Sequence, residues 1–251
     1  MNEIDWAVAA FAAAVFVFAG TVKGGLGLGL PPIAMGLLVF VMSPLEAAAL
    51  LVLPALATNI GQTFIGKHLA KLTRRFWPML TAMAVLTLAG TGWLQSGNPQ
   101  LLLAGLGLVL AAYALFALTG RSLSYTKSSE TWLGPIVGAT SGALTASTGI
   151  CAVPSVPYVQ SANLQRDELV QALGLLFMVA NLSLAANLAI SGAFSAAAAP
   201  IVVICVVSAL AGVAIGSWLR SQIDEVLFRR IFLVGLLLLG LNLCGRALLA
   251  A

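Results

Sequence analysis

An all-α polytopic membrane protein is the fold this sequence predicts, with about ten hydrophobic segments in two inverted five-segment repeats and helices broken by Gly and Pro. Three observations predict it: a composition too apolar for water, loop charges confined to one side, and a glycine-rich stretch that occurs twice. Of 251 residues, 61% are hydrophobic and 8% charged, and the mean hydropathy is +1.05. A water-soluble domain of that length needs a polar exterior that this composition does not supply. The apolar stretches run without a break, whereas strands of a membrane barrel alternate polar with apolar residues, so the segments are helices.

A spanning helix takes about 20 apolar residues, fewer where it is broken or shielded by protein. On that basis segments fall at 6–22, 25–42, 47–66, 76–94, 101–119, 132–148, 150–163, 169–191, 197–219 and 229–249. The rival reading of the first is a cleaved signal peptide, but Glu3 and Asp5 make its leading end acidic where a signal peptide is positive. It is therefore a span. The segment at 150–163 is short and carries Pro154 and Pro157, which leaves it either a full span or a broken helix. Cys151, Cys205 and Cys244 all fall in apolar segments without metal-ligand spacing, so they read as small packing hydrophobes. No metal and no cofactor is expected.

Charge orients these segments. Lys67, Lys71, Arg74, Arg75, Arg121, Lys127, Arg166, Arg220, Arg229 and Arg230 fall in four loops on one side, ten of the twelve basic residues. The loops at 43–46, 95–100 and 191–197 contain no Lys or Arg. The positive-inside rule then makes the basic loops cytoplasmic and places both termini outside. Orientation explains these charges more simply than nucleic-acid or membrane-surface binding, and no nucleic-acid partner is expected.

The chain also repeats itself. Gly20, Gly24, Gly27 and Gly29 lead into Pro31 and Pro32; 118 residues further on Gly138, Gly142, Thr145 and Ser147 lead into Pro154. Glu46 and Asn59 return as Glu168 and Asn181 at a spacing of 122. The halves are 1–125 and 126–251, and with five segments each the second lies upside down. Loop charges agree: 67–75 is basic where 191–197 is uncharged, and 95–100 is uncharged where 220–230 is basic. Inverted repeats with interrupted helices are characteristic of secondary transporters.

Two copies of a G-x-x-x-G-x-x-G/T-x-G/S stretch, each leading to proline and then to an acidic residue entering the next helix, resemble the TauE/SafE-type sulfite exporter family, also described as toluene-sulfonate uptake permeases. The resemblance covers nearly the whole chain. It implies a multi-pass protein of the bacterial cytoplasmic membrane that carries a small sulfur-containing anion such as sulfite, a sulfonate or a sulfoacetate-like molecule. The alternatives are a carrier of another small anion and a non-transporting assembly subunit.

A broken helix survives in a membrane only where its freed backbone groups are enclosed by protein or face a cavity. At a helix N-terminus those N–H groups bind anions. The expected substrate site therefore lies at the two breaks: Gly25, Gly27 and Gly29 from the first, and Thr145, Ser147, Thr148 and Gly149 from the second, the hydroxyls acting as added donors. Asn59, Gln62, Gln171 and Asn181 add amide donors from the helices that follow. Lys23 is the one basic residue at a break. It either attracts the anion or snorkels to the interface as an ordinary helix-end lysine. Gly20 with Gly24, and Gly138 with Gly142, read instead as close-packing pairs.

The acidic residues map to termini and loops, and no segment holds Asp, Glu or His at its centre. An intramembrane enzyme needs a nucleophile with a base, or a metal cluster. No catalytic residue is expected. The carboxylate or imidazole relay of a proton pump is also missing, which leaves H+ coupling through Glu46, Glu168 or a titrating substrate, Na+ coupling, and passive movement all open.

Overall fold

The computed structural model describes residues 6–120, 125, 127–195, 198–220, 222 and 224–249. Glu3, Asp5 and Arg121 lie outside them, as do the side chains of Lys127 and Glu225. The described residues form helices and no strand: α1 Trp6–Leu26, α2 Leu30–Leu38, α3 Pro44–Phe64, α4 Leu69–Ala89, α5 Trp93–Ser96, α6 Pro99–Leu118, α7 Lys127–Thr148, α8 Ala152–Gln160, α9 Arg166–Ile190, α10 Ala199–Leu219 and α11 Glu225–Leu249. Six of them, α1, α3, α6, α9, α10 and α11, are long and apolar enough to cross a bilayer. α4 and α7 match them in length at 21 and 22 residues, but charged residues in their opening turns lower their hydropathy.

The segment at 25–42 needs correction. Its helix, α2, has nine residues, about 14 Å at 1.5 Å per residue, under half of the ~30 Å hydrocarbon core. Gly27 and Gly29 hold φ at +76° and +108°, a conformation that ends α1 and delays α2. The segment at 150–163 likewise contains only nine-residue α8, and Val153 within it leaves helical geometry at φ −113° and ψ 130°. Among the residues of α2 only Leu37 is not buried, so protein encloses this short helix as a broken segment requires.

Helix starts follow local sequence. Ser43 and Glu46 form a reciprocal capping box at α3, and the Asn98 side chain accepts from the Gln100 N–H at α6, 2.9 Å away. Glu46, Glu130 and Glu168, expected in loops, sit in the first turns of α3, α7 and α9. There the positive end of the helix dipole favours a carboxylate.

The glycine pairs weld helices together. A Cβ on Gly20 would meet the Ala209 carbonyl, and one on Gly24 the Val213 carbonyl, while Gly212 and Gly216 abut Val17 and Thr21 in return. α1 and α10 therefore run parallel in close contact. Gly138 and Gly142 press α7 against the Met79 and Met83 backbone of α4, again in parallel. Both pairs act as the close-packing motifs expected of them. α3 packs antiparallel on α9, where Gln62 lies against Gly174 and Gly66 against Gln171; α6 packs antiparallel on α11, with Gly107 against Gly240.

Long-range hydrogen bonds settle which ends lie together. Gln62, near the end of α3, donates to the Gly27 carbonyl just past α1 at 2.9 Å. α1 and α3 thus end on the same side, and residues 27–43 must carry the chain back between them as break, short helix and turn. Lys71 of α4 pairs with Glu168 of α9 at 2.5 Å, and Arg75 of α4 with Glu130 of α7 at 2.7 Å. Arg166, Arg220 and Arg229 line one cavity together with Gly27 and Gln62. The described basic loops accordingly gather at one end of the molecule.

Candidate functional site

Lys23 lies in the last turn of α1, and its side chain turns inward, leaving the residue 5% exposed. It does not snorkel. Nζ donates to Thr58 Oγ1 at 2.9 Å and to Asn59 Oδ1, both on α3. Thr58 and Asn59 are neutral, and Lys23 makes no ion pair among the described residues. An ammonium withdrawn from water without a counter-ion costs several kcal/mol, so the position is expensive unless something negative completes it.

The surroundings offer donors in excess. Thr58 spends its own hydrogen on the Pro54 and Ala55 carbonyls, at 2.9 and 3.0 Å, and so meets Lys23 with a lone pair. Asn59 turns its oxygen to Lys23 and leaves Nδ2 buried without a partner. Thr63 Oγ1, one turn further along the same face of α3, is also buried and unpartnered. An ammonium has three hydrogens and an amide nitrogen two. With two of the ammonium hydrogens used, the remainder point to an acceptor-rich guest. A small oxyanion answers both the charge and the hydrogen count.

The second break packs on the short helix that follows the first. Gly149 holds φ at +74° and packs on Met35 of α2, where an added Cβ would lie 3.2 Å from the sulfur. Cys151, which precedes α8, is buried. α1 and α3 thus meet at Lys23, while the second break packs on α2.

The other expected residues take several positions. Gln62 uses Nε2 on the Gly27 carbonyl and, at 3.2 Å, on the Val170 carbonyl, so it ties the first break to α9. Gln171 is buried, donates to the Thr63 carbonyl at 2.9 Å and accepts from the His68 N–H at 3.0 Å, stapling α9 to the α3–α4 connection. Asn181 donates to the Phe177 carbonyl of its own helix at 2.7 Å. Thr145, Ser147 and Thr148 spend their hydroxyl hydrogens likewise, on the carbonyls of Ser141, Ala143 and Leu144 at 2.7, 3.0 and 2.6 Å. Side-chain hydroxyls in helices commonly bond back one turn. Gly25 and Gly29 face the Phe228 and Phe232 rings of α11.

Lys23 and Asn59 thus meet directly, Gly27 and Gln62 meet beside them, and Gln171 stands apart as a brace. Thr58 and Thr63 were not expected. A helical wheel of α3 places 59 and 63 on one face with 58 adjoining, which is a signal, but only the fold brings that face to Lys23. No group of His, Cys, Asp and Glu able to hold a metal occurs among the described residues.

No curated protein and no solved structure matches the chain. A family model, sulfite exporter TauE/SafE, matches residues 12–243, and this is a family of transporters and not of enzymes. The chain therefore belongs to the sulfite exporter TauE/SafE family of multi-pass membrane proteins, whose membership implies a small anionic substrate.

Proposed function

We propose that this protein moves a small sulfur-containing anion, sulfite or a sulfonate or sulfoacetate-like molecule, by alternating access of two inverted halves, residues 1–125 and 126–251. The observation that carries the reading is the Lys23 pocket: a buried ammonium with only neutral partners beside an amide nitrogen that has none. Charge selects an anion, and the unspent N–H groups favour one whose oxygens accept several hydrogen bonds at once.

Packing supports the inverted arrangement. Exchanging the halves maps the parallel pair α1 and α10 onto the parallel pair α7 and α4. It maps α3 with α9, and α6 with α11, onto themselves, and a two-fold axis in the membrane plane requires such self-paired helices to be antiparallel, as both are. The short helices α2 and α8 are then equivalent, each entered through a glycine with positive φ. By the positive-inside rule the basic end faces the cytoplasm, in a bacterial inner membrane, with both termini outside.

Rocking one set of paired helices against the other would expose Lys23 to each side in turn. Lys23→Gln tests the site in proteoliposomes loaded with labelled sulfite, thiosulfate, taurine or sulfoacetate. Loss of a single charge-assisted partner, worth ~1.5–3 kcal/mol, predicts a rise of roughly 10- to 100-fold in half-saturating substrate. Unchanged affinity and rate would remove Lys23 from the site. A wild-type protein that carries none of these anions, while binding phosphate or chloride, would redirect the reading to another small anion.

A further inference from the structure

Resting on the transport reading, we infer that Arg166, Arg220 and Arg229 form a second oxyanion site, a vestibule that gathers the sulfur oxyanion at the basic end before it passes the first helix break. The three arginines come from the start of α9, the position after α10 and the first turns of α11, and they converge on one cavity of about 160 Å³. Water takes about 30 Å³ per molecule in the liquid, so the cavity has room for a small oxyanion with part of its hydration shell. Among the described residues no carboxylate lines it.

Two neighbouring acids are engaged elsewhere. Glu168 accepts from Lys71 at 2.5 Å and lies 3.5 Å from His68, and Asp224 caps α11 by accepting from the Val226 N–H at 2.7 Å. Among the described residues neither Arg220 nor Arg229 forms an ion pair. Orientation in a membrane asks only that basic residues lie on one side. It does not ask three of them, from separate parts of the chain, to line one cavity in which no carboxylate appears among the described residues. Guanidinium groups present paired N–H donors in the fork geometry that oxyanions accept.

The floor of this cavity links it to the inner pocket. Gly27 and Gln62 line it, and the Gln62 amide bridges the Gly27 and Val170 carbonyls at 2.9 and 3.2 Å. Gln62 sits three residues along α3 from Asn59, about one helical turn. An anion held by the arginines therefore stands one turn from the Lys23 pocket, with the Gln62 bridge between them. The vestibule acts on capture at this face alone, which raises local anion concentration by electrostatic focusing.

Calorimetric titration of purified protein with sulfite separates the two sites. Lys23→Gln disables the inner pocket and is expected to leave a weaker binding event whose affinity falls about fivefold or more between low and moderate salt, as charge screening requires. Adding Arg220→Gln and Arg229→Gln removes that event, and Arg220→Lys with Arg229→Lys keeps part of it. In sided proteoliposomes, R220Q/R229Q on the otherwise native chain raises half-saturating sulfite about fivefold at the basic face and by less than about twofold at the other. The vestibule is overturned if Lys23→Gln abolishes all sulfite binding while the native chain binds, if the residual binding survives loss of both arginines, or if both faces respond equally. A native chain that binds no sulfite overturns the vestibule and the substrate reading together.

Discussion

Gly216→Ala tests the weld between α1 and α10. The added Cβ would overlap the Thr21 carbonyl oxygen and stand 2.7 Å from its carbon and 2.9 Å from the Gly25 nitrogen. All three are backbone atoms, so no rotamer change relieves the clash. Ordinary Cβ contacts begin at 3.4 Å, so the helices must separate locally by more than an ångström. A gap of ~0.5–1 Å forfeits a quarter to a half of the dispersion energy of each opposed atom pair, and overpacking of this kind costs ~1–3 kcal/mol. At ~2–4 °C per kcal/mol for a chain of this size, the melting temperature in detergent should fall by about 2–12 °C. Gly235→Ala is the control, because nothing lies within 4 Å of a Cβ there. On α11 it should leave stability unchanged or raise it by up to ~1 kcal/mol through helix propensity. Equal melting of Gly216→Ala, Gly235→Ala and the native chain would refute the backbone-weld argument.

Two further substitutions probe the polar interior. Asn59→Asp places a carboxylate against the Lys23 ammonium and removes the unpartnered Nδ2, so the pocket neutralises itself; flux of labelled anion should drop at least about tenfold with folding retained by thermal melt, a buried pair being compatible with stability when both partners are present. Native-like flux would show that the substrate does not use this charge. Gln171→Leu strands the His68 N–H and the Thr63 carbonyl; leaving buried partners unsatisfied costs ~1–3 kcal/mol, measurable as a lowered melting midpoint, and the residual folded protein should bind anion with native affinity.

Some of this structure was legible in the residues. Continuous apolar runs require helices in lipid, since no water satisfies an exposed backbone there. The gathering of basic loops at one end, the close packing of Gly20, Gly24, Gly138 and Gly142, and the interruption near Gly27 and Gly149 all follow from local composition and spacing. The length of α2 was not legible, because Leu30–Leu38 is flanked by apolar residues that extend the hydropathy signal past the true helix ends. Nor was the occupation of the Thr145, Ser147 and Thr148 hydroxyls, which depends on side-chain rotamers and on competition from the carbonyl one turn back.

By itself the sequence determined a lipid-solvated helical chain, the gathering of its charges at one end and the places where its helices break, because hydropathy, loop charge and backbone freedom act through neighbours along the chain. Only the tertiary structure decided that Lys23 turns inward to Thr58 and Asn59, and that Arg166, Arg220 and Arg229 share one cavity. Thr58 and Asn59 are 35 and 36 residues from Lys23 along the chain, and only the packing of helices on one another brings such groups near enough to meet.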